Sequence, residues 1–418
     1  MIRTITLAIA LFLFMNVSAQ EHRNCGTMTS QEYLYAQNPG YKAQMAVNEA
    51  AIQDWIKKHG KDRQKSVITI PVVVHVIYQF QTQNISDAQI QSQIDVLNND
   101  YRRMNADTAL TPDSFKIVAA DIEIEFCFAH QDPDGNWTNG VTRTQTTKSK
   151  FEMSTNEAKF TSMGGHDVWN RNKYFNIWVV PSIVDGADAG ILGYAQFPGG
   201  PAATDGVVIG YKYFGSIGTA TYPYNKGRTL THESGHWLSL YHIWGDDNGS
   251  CSGSDNVQDT PNQSDYNYGC PTFPHSSCNN FSDMFMNYMD YTDDACMNIF
   301  SQGQKQRMIA VMNTNRASLK TSDACQAVSI DEPKLEDKLK IYPNPSQGVF
   351  VLDFNEIEVK GSVDIKIYNV LGQLVYTQNY QNIAEREQIS LPNSDAGIYM
   401  LHIKSEQFNI IKKIEIHR

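Results

Sequence analysis

The chain has 418 residues, of which 41% are hydrophobic and 19% charged, and its formal net charge is −11 at pH 7. This length predicts two or three domains, and the composition argues against long disordered regions. The acidic balance argues against general nucleic-acid binding, which needs a basic surface to displace counterions. It is compatible with a secreted protein or with cation binding.

The first twenty residues have the pattern of a secretory signal peptide. Arg3 gives a positive start, an apolar run follows over residues 7–15, and small residues 17–19 form a cleavage site. The run is too short for a membrane anchor, and no later run is long enough to cross a bilayer. We therefore predict a signal peptide over 1–19, a mature N-terminus at Gln20 and export through the periplasm.

Residues 20–65 are polar and end in the basic run KKHGKDRQK. They are either a solvated linker or a propeptide with a processing site, and we predict a propeptide. The chain has seven cysteines, which in an exported protein indicate disulfides. Because seven is odd, at least one of them is free or pairs with another chain.

Residues 66–325 alternate strand and helix patterns and predict a mixed α/β domain. VITIPVVVHVIY begins this region as a buried strand rich in β-branched residues. A helix follows, with Ser86 and Gln89 as a capping box. Its apolar residues recur at helical spacing, and they are Ile90, Ile94, Leu97 and Tyr101. Later strands are predicted in IEIEFCFA, YFNIWVV, GILGYAQFP and DGVVIGYKYF.

The C-terminal part of the chain has a different pattern. Residues 326–338 are polar and charged, and they predict a linker. Residues 339–418 contain short alternating strands separated by Gly, Pro and Asn turns. This pattern predicts a small all-β sandwich.

The stretch HESGHWLSLYH, residues 232–242, carries the candidate metal site. His232 and His236 are four residues apart, so a helix places both rings on one face, with Glu233 between them. A catalytic zinc needs three protein ligands. The next glutamate after Glu233 is Glu332, which leaves His242 as the third ligand.

His242 reaches the same metal only if the chain turns sharply after His236. In the zinc pattern H-E-x-x-H-x-x-G-x-x-H, a glycine makes that turn, whereas this chain has Ser239 there. A left-handed serine costs about 1 kcal/mol or somewhat more, and zinc binding supplies on the order of 10 kcal/mol. We therefore predict that the site forms with modest strain. The alternative is an amphipathic core helix.

A second string, NYMDY at residues 287–291, matches the Met-turn of metzincins, with Met289 beneath the zinc. Together with HESGHWLSLYH, DTP and GCP, it resembles the pappalysin family of metzincin zinc proteases over roughly residues 66–325. The resemblance implies a metzincin-type catalytic domain with a five-stranded mixed sheet and a zinc-binding helix. Ser239 is the one clear departure from the family pattern.

The resemblance strengthens the chemical roles of these residues. His232, His236 and His242 are expected to bind Zn²⁺, and Glu233 to act as general base toward a water activated by the metal. Tyr291 is expected to hydrogen-bond the tetrahedral intermediate, as similar metzincin tyrosines do. The function implied is peptide-bond hydrolysis by a secreted zinc endopeptidase.

The loop SDNVQDTPNQSD is rich in oxygen ligands, which suit Ca²⁺. Asp255 and Thr260 match calcium-ligand positions of the family, and Asp259 is a further candidate; the alternative is a polar turn. The resemblance also implies three disulfides, which are Cys251–Cys278, Cys270–Cys296 and Cys127–Cys325.

Asp294 matches the position that, in ulilysin, lies at the base of the pocket for the residue after the scissile bond. A buried carboxylate there favours Arg or Lys, whereas the alternative is an exposed loop aspartate. Cys25, in HRNCGT, resembles a cysteine switch that occupies the open zinc position; the alternative is an unpaired or dimer-forming cysteine. Self-cleavage is expected near Lys61, Arg63 and Lys65.

The strings IYPNPSQGVF, IYNVLGQLVY and AGIYMLHI resemble the C-terminal sorting domain of the type IX secretion system. The expected partners are peptide substrates and that secretion machinery, and we expect a monomer without nucleic acid, secreted or at the cell surface. A substrate-binding sandwich is the alternative for this domain. For the whole chain, the alternative is a catalytically weak, adhesive protein on a protease fold, which Ser239 alone favours.

Overall fold

The computed structural model describes residues 22–60, 66–326, 335–357, 359, 361–392, 394–405 and 408–417. The predicted signal peptide, Gln20 and the processing positions Lys61, Arg63 and Lys65 lie outside these residues. The chain divides into two compact units, residues 1–328 and residues 329–418. Within the described residues, no helix is long and apolar enough to cross a membrane.

The first unit contains six helices and nine strands in its described part. Its helices are α1 (Thr27–Gln37), α2 (Pro39–His59), α3 (Asp87–Tyr101), α4 (Asp113–Lys116), α5 (Arg228–Trp237) and α6 (Gln302–Asn313). Its strands are β1 (Ile68–Tyr78), β2 (Ile124–Phe128), β3 (Val141–Gln145), β4 (Phe151–Glu152), β5 (Phe175–Val180), β6 (Ile183–Asp185), β7 (Asp188–Ile191), β8 (Gly193–Ala195) and β9 (Val207–Gly210).

The main sheet of this unit has six strands in five positions. Strands run in the order β2-β1-β5-β9-β8, and β3 also pairs with β1. Since β2 pairs with Ile68–Val72 and β3 with Val74–Tyr78, these two strands share one side of β1. All pairings are parallel except that of β8 with β9, which puts an antiparallel strand at the edge. The predicted mixed α/β class is confirmed.

Helix α3 packs its apolar face on this sheet. Ile90, Ile94, Leu97 and Tyr101 are all buried, as their spacing predicts. Ser86 caps the helix by accepting a hydrogen bond from the Gln89 amide. The reciprocal half of the predicted capping box is missing, because the Gln89 side chain donates instead to the Phe214 carbonyl. A hydrogen bond to a distant segment thus replaces the local bond to the helix start.

Helices α1 and α2 belong to the predicted propeptide and pack on the rest of the first unit. Pro39 at the first position of α2 suits the helix start, where the backbone N–H has no partner in the helix. Leu34, Tyr41 and Met45 form a buried cluster with Phe197, close to β8. Residues 22–60 are therefore an ordered part of the unit.

Three disulfides join the loops of the first unit. Their Cα atoms are 5.5 to 6.0 Å apart, within the normal range. They are Cys127–Cys325, Cys251–Cys278 and Cys270–Cys296. Cys25, which these pairs leave over, is free and buried.

The second unit is a β-sandwich with one short helix, α7 (Leu335–Lys338), inside the predicted linker. One sheet has the order β10-β11-β14 and the other β13-β12-β15-β16. Alternate residues such as Ile365, Ile367 and Leu401 face a shared core. The strands are β10 (Lys340–Tyr342), β11 (Val349–Asp353), β12 (Val363–Asn369), β13 (Leu374–Tyr380), β14 (Arg386–Ser390), β15 (Gly397–Lys404) and β16 (Asn409–Ile416).

Candidate active site

Helix α5 carries His232, Glu233 and His236 and is buried along its whole length. Its first residue, Arg228, forms ion pairs with Asp100 of α3 and with Asp107. Burial raises the pKa of Asp100, although Arg228 and three hydrogen bonds oppose this shift. The buried ion pair fixes the start of the helix, and with it the direction in which the three side chains point.

The helix ends in a Schellman motif with Ser239 at the left-handed position. The Leu240 amide donates to the Gly235 carbonyl at 2.9 Å, and the Ser239 amide to the His236 carbonyl at 2.8 Å. Ser239 has φ 71°, where glycine is the usual residue. The turn that the sequence predicts is therefore present, and it reverses the chain so that His242 returns to the helix.

Arg307 of α6 anchors this turn from behind. Its Nη2 and Nε atoms donate to the Ser239 carbonyl at 3.0 and 3.3 Å. The guanidinium is 1% exposed and forms two 2.8 Å bonds with Glu49 of α2. Charge-assisted bonds of this kind are stronger than neutral ones. They offset the cost of the left-handed serine.

Ser239→Gly is expected to raise thermal stability without loss of activity. Glycine adopts φ 71° without the steric penalty of a Cβ, which is worth about 1 kcal/mol. In a unit of this size, that corresponds to an increase of about 2–4 °C in melting temperature. Thermal unfolding followed by circular dichroism checks this expectation. A lower melting temperature together with lower activity would contradict the assignment of the turn.

The three histidines are held in one tautomer by acceptors around the site. His232 Nδ1 donates to the Tyr288 carbonyl at 2.7 Å, and His236 Nδ1 to the Leu240 carbonyl at 2.7 Å. His242 Nδ1 bonds to the Asp246 carboxylate at 2.8 Å. Carbonyl and carboxylate oxygens only accept, so each Nδ1 carries the proton and each Nε2 presents a lone pair.

The three Nε2 atoms converge. His236 Nε2 lies 3.1 Å from His232 Nε2 and 3.1 Å from His242 Nε2. Burial, followed by the neighbouring imidazoles, lowers the pKa of His232 and His236, so both rings are neutral. Three buried lone pairs at this distance repel one another unless a cation lies between them.

The donor set fits zinc. Tetrahedral nitrogen ligands at ~2.0–2.1 Å from zinc lie roughly 3.3 Å from one another, close to the separations seen here. The ligand atoms of Cys25, His232, His236 and His242 all lie within 4.8 Å of one another, and all four residues are buried. Hydrogen bonds from each Nδ1 to a fixed acceptor orient the rings, as is usual around metal ions.

Met289 lies directly beneath helix α5 and is fully buried. A Cβ at Gly235 would lie 2.5 Å from the Met289 sulfur, so glycine is needed in the middle of the helix. The methionine thus packs against the helix backbone between the two helical histidines. Tyr288, the preceding residue, supplies the carbonyl that orients His232.

Residues 23–27 of the predicted propeptide fill the cleft in front of the histidines. Cys25 pairs with Gly193 of the edge strand β8, and its sulfur lies 3.5 Å from Glu233 Oε2. Burial, and then the Glu233 carboxylate, raises the pKa of the Cys25 thiol. Thr27 Oγ1 donates to Glu233 Oε2 at 2.8 Å and accepts from the Ala195 amide. The propeptide therefore contacts Glu233 through two residues.

Glu233 is a buried carboxylate in this arrangement. Burial raises its pKa to about 7, against the opposing effect of hydrogen bonds from Thr27 and Cys25. The Tyr291 ring also lies next to the histidines, with its centroid 5.1 Å from that of His242. Its hydroxyl is 3.5 Å from the Cys25 carbonyl oxygen. Both predicted catalytic side chains therefore contact the propeptide.

Asp294 lies at the bottom of a pocket that Arg23 enters. The carboxylate is 0% exposed, and Arg23 Nη2 lies 2.5 Å from its Oδ1 atom. The Lys226 amide donates to the other oxygen at 2.7 Å. The Arg23 guanidinium also stacks on the Tyr224 ring at 4.9 Å. The alternative of an exposed loop aspartate is therefore wrong.

The three calcium candidates do not form a single cluster. Thr260 Oγ1 donates to Asp255 at 2.8 Å, whereas Asp259 accepts from Ser301 and from the Gly303 amide at the start of α6. Burial raises the pKa of Asp255 to about 7, against its hydrogen bonds. Asp259 is thus a helix cap, while Asp255 and Thr260 stay adjacent.

Three residues that contact the site were not predicted from the sequence. Thr27, Asp246 and Arg307 contact Glu233, His242 and the Ser239 carbonyl, respectively. Thr27 and Arg307 act across 206 and 68 residues of chain. Asp246 lies only four residues beyond His242, so an acidic residue just after the last ligand is a signal that could have been used.

Residues 161–313 match the peptidase family described as pregnancy-associated plasma protein-A, and residues 340–417 match the secretion system C-terminal sorting domain. An extracellular metalloprotease of Arthroderma benhamiae is 34% identical over 253 residues, which cover 60% of this chain and 79% of that protein. The corresponding protein of Arthroderma otae is 33% identical over 256 residues, covering 60% and 80%.

Solved structures of mirolysin are also similar to this chain. Tannerella forsythia mature mirolysin in complex with a cleaved peptide is 55% identical, with a TM-score of 0.59 over 62% of this chain and 97% of that chain. A mutant of T. forsythia promirolysin is 49% identical, with a TM-score of 0.63 over 71% and 97%.

The chain belongs to the pregnancy-associated plasma protein-A family of metallopeptidases, the pappalysins. It is a secreted zinc metalloprotease similar to mirolysin, and it carries a C-terminal sorting domain of the type IX kind. The resemblances to both families are confirmed, as are the prediction of an enzyme and its location outside the cell or at its surface.

Proposed function

We propose that the protein is an endopeptidase in which His232, His236 and His242 bind the zinc ion. The observation that carries the proposal is the convergence of three Nε2 lone pairs, each fixed by a hydrogen bond at Nδ1. When bound there, zinc lowers the pKa of a water molecule and polarises the scissile carbonyl group.

Glu233 and Tyr291 provide the groups that act on the substrate. Glu233 takes the proton of the attacking water and passes it to the leaving amine. The position of Glu233 supports this role, because it lies between two of the proposed metal ligands on α5. Tyr291 donates a hydrogen bond to the oxygen on which negative charge develops. Intact Glu233, Tyr291 and histidines favour this proposal over a catalytically weak, adhesive protein.

Removal of zinc tests the proposal. Dialysis of the mature enzyme against 1,10-phenanthroline is expected to reduce hydrolysis of a peptide substrate to background, and stoichiometric Zn²⁺ to restore it. Dialysis against 1,7-phenanthroline, an isomer whose nitrogen atoms cannot chelate a metal ion, serves as the control. Elemental analysis before and after dialysis provides a second readout. Full activity in protein shown to be free of zinc would contradict the proposal.

Residues 23–27 lie in the cleft in front of the histidines, and this position supports a cysteine switch. A thiolate is a good zinc ligand, and the Cys25 sulfur lies within 4.8 Å of the three Nε2 atoms. A cation bound to the three imidazoles would favour the thiolate and oppose the burial that raises the Cys25 pKa. Latency then has three contacts, in which Cys25 blocks the metal, Thr27 occupies Glu233 and Arg23 occupies Asp294.

The Arg23–Asp294 pair also supports a preference for Arg or Lys after the scissile bond. A fully buried carboxylate that already binds one guanidinium selects basic side chains over neutral ones. Calcium at Asp255 and Thr260 is a further part of the proposal. The buried Asp255 carboxylate accepts hydrogen bonds from Thr260 and the Val257 amide, and a divalent cation would compensate its charge.

The processing scheme completes the proposal. Residues 1–19 are removed on export, 20–65 are the propeptide, 66–325 the catalytic domain, 326–338 the linker and 339–418 the sorting domain. The basic residues Lys61, Arg63 and Lys65 are candidate sites of self-cleavage, because the proposed pocket prefers basic side chains. The enzyme acts as a monomer on peptide substrates after passage through the secretion machinery.

A further inference from the structure

We propose that Tyr266 and Tyr268 form an aromatic subsite for a flat side chain at the substrate position directly after the basic residue. The proposal rests on the proposed function, because the Asp294 pocket defines which substrate residue is bound next to it. The ligand class is an imidazole or aromatic side chain, as found in His, Phe, Tyr or Trp.

Stacked rings extend outward from the catalytic centre. The Tyr291 and Tyr266 centroids are 5.2 Å apart at an interplanar angle of 25°. Tyr266 and Tyr268 follow at 4.7 Å with their planes tilted by 46°, and the His22 imidazole stacks on Tyr268 at 4.4 Å and 24°. Although the propeptide covers this region, Tyr266 and Tyr268 are 41% and 37% exposed. They therefore present ring faces to the cleft.

The propeptide gives the register of this subsite. Cys25 lies at the histidines, Arg23 binds Asp294, and His22 is the next residue away from the metal centre. In a substrate, the scissile carbonyl lies at the metal and the basic side chain lies in the Asp294 pocket. The position that His22 occupies, one residue further from the metal than the Asp294 pocket, is then taken in a substrate by the residue that follows the basic one. This holds whichever way the propeptide backbone runs, because distance from the metal sets the order of the positions.

Buried hydrogen bonds anchor the loop that carries Tyr266 and Tyr268. Asp290 is fully buried and accepts hydrogen bonds from the Asn267 amide at 2.7 Å and from its side chain at 2.9 Å. Gln263 Nε2 donates to the same carboxylate at 3.0 Å. Asn267 lies between the two tyrosines, so the Met-turn holds the backbone that carries both rings. A preformed surface binds a ring without the cost of ordering a loop.

The cleft next to these rings has room for a side chain. A cavity of about 610 Å³ is lined by Tyr266 and Tyr268 together with Trp244, His242 and Tyr291. Offset stacking of two rings contributes about 0.5–1.5 kcal/mol beyond area burial. A selectivity of up to about tenfold is therefore expected for a ring over an alanine at this position.

The test uses the mature enzyme and peptides that contain one arginine, followed by His, Phe, Leu or Ala. We expect kcat/KM to be about fivefold to tenfold higher for His and Phe than for Ala, mainly through KM. Tyr268→Ala is expected to reduce this difference in kcat/KM between the ring-containing peptides and the Arg-Ala peptide to less than about twofold. Trp137→Ala, an exposed aromatic that does not line the cleft, is the matched control.

Binding of the same peptides to the Glu233→Ala variant gives a readout that does not depend on turnover. Equal affinity for His, Phe and Ala peptides, or an unchanged ring preference in Tyr268→Ala, would overturn the subsite. Replacement of the arginine by leucine tests the underlying proposal separately. If that exchange leaves kcat/KM unchanged, the Asp294 assignment is wrong, and the subsite register is overturned with it.

Discussion

Glu233→Ala is expected to lower kcat for peptide hydrolysis by at least about a thousandfold, near the upper range for general acid–base groups. Glu233 lies between His232 and His236 on α5, and with residues 23–27 in the cleft, burial raises its pKa to about 7. Alanine removes the proton acceptor but leaves in place the three Nε2 atoms that are proposed to bind zinc. The expected result is therefore an inactive protein with full zinc content.

The measurement combines single-substrate kinetics with elemental analysis of the mature variant. Glu125→Ala is a matched control, because Glu125 lies on β2, which two strands separate from β9, and pairs with Arg102. That variant is expected to keep full activity. An active Glu233→Ala enzyme would refute the general-base role, whereas loss of zinc would show that Glu233 supports the ligands instead.

Cys25→Ala is expected to make the uncut zymogen measurably active. Each ~1.4 kcal/mol of lost propeptide affinity changes the accessible fraction tenfold, so we expect an increase of at least about tenfold. Activation is expected to be partial, because Arg23 still binds Asp294 and Thr27 still binds Glu233. The additional change Arg23→Ala is expected to raise activity further, because it releases the second contact.

Short assays with a small fluorogenic peptide measure this effect before self-cleavage proceeds, and mass spectrometry confirms that the chain is intact. Glu32→Ala, an exposed position on α1, is the control and is expected to stay latent. A Cys25→Ala zymogen as inactive as the unaltered one would contradict the thiol switch. If Arg23→Ala alone made the zymogen active, latency would depend on the contact between Arg23 and Asp294.

The sequence predicted those parts of the site that depend on local chain geometry. Histidines four residues apart share a helix face, and Ser239 had to be left-handed for His242 to return. Both features depend on residues within one turn of helix and its cap. The Met-turn was found through a short string whose residues are also contiguous.

The features that escaped prediction depend on packing between distant segments. Thr27 reaches Glu233 only because β8 aligns residues 25–27 along the cleft. Arg307 meets Ser239 because α6 packs behind the histidine turn. Likewise, the Gln89 side chain donates to the Phe214 carbonyl, 125 residues away, and not to the backbone at the start of its own helix. No periodicity or spacing reports such contacts, since each is decided by the way the elements stack.

The Glu49–Arg307 pair has a consequence for maturation. Before cleavage, one guanidinium joins a propeptide helix to the backbone turn that orients the last metal ligand. In the proposed maturation, removal of the propeptide would leave Arg307 with the Ser239 carbonyl and the Tyr241 ring but without its counter-charge. The proposed precursor is therefore the form in which more contacts hold the turn before His242, and folding with residues 22–60 in place would set a geometry that the mature protease keeps.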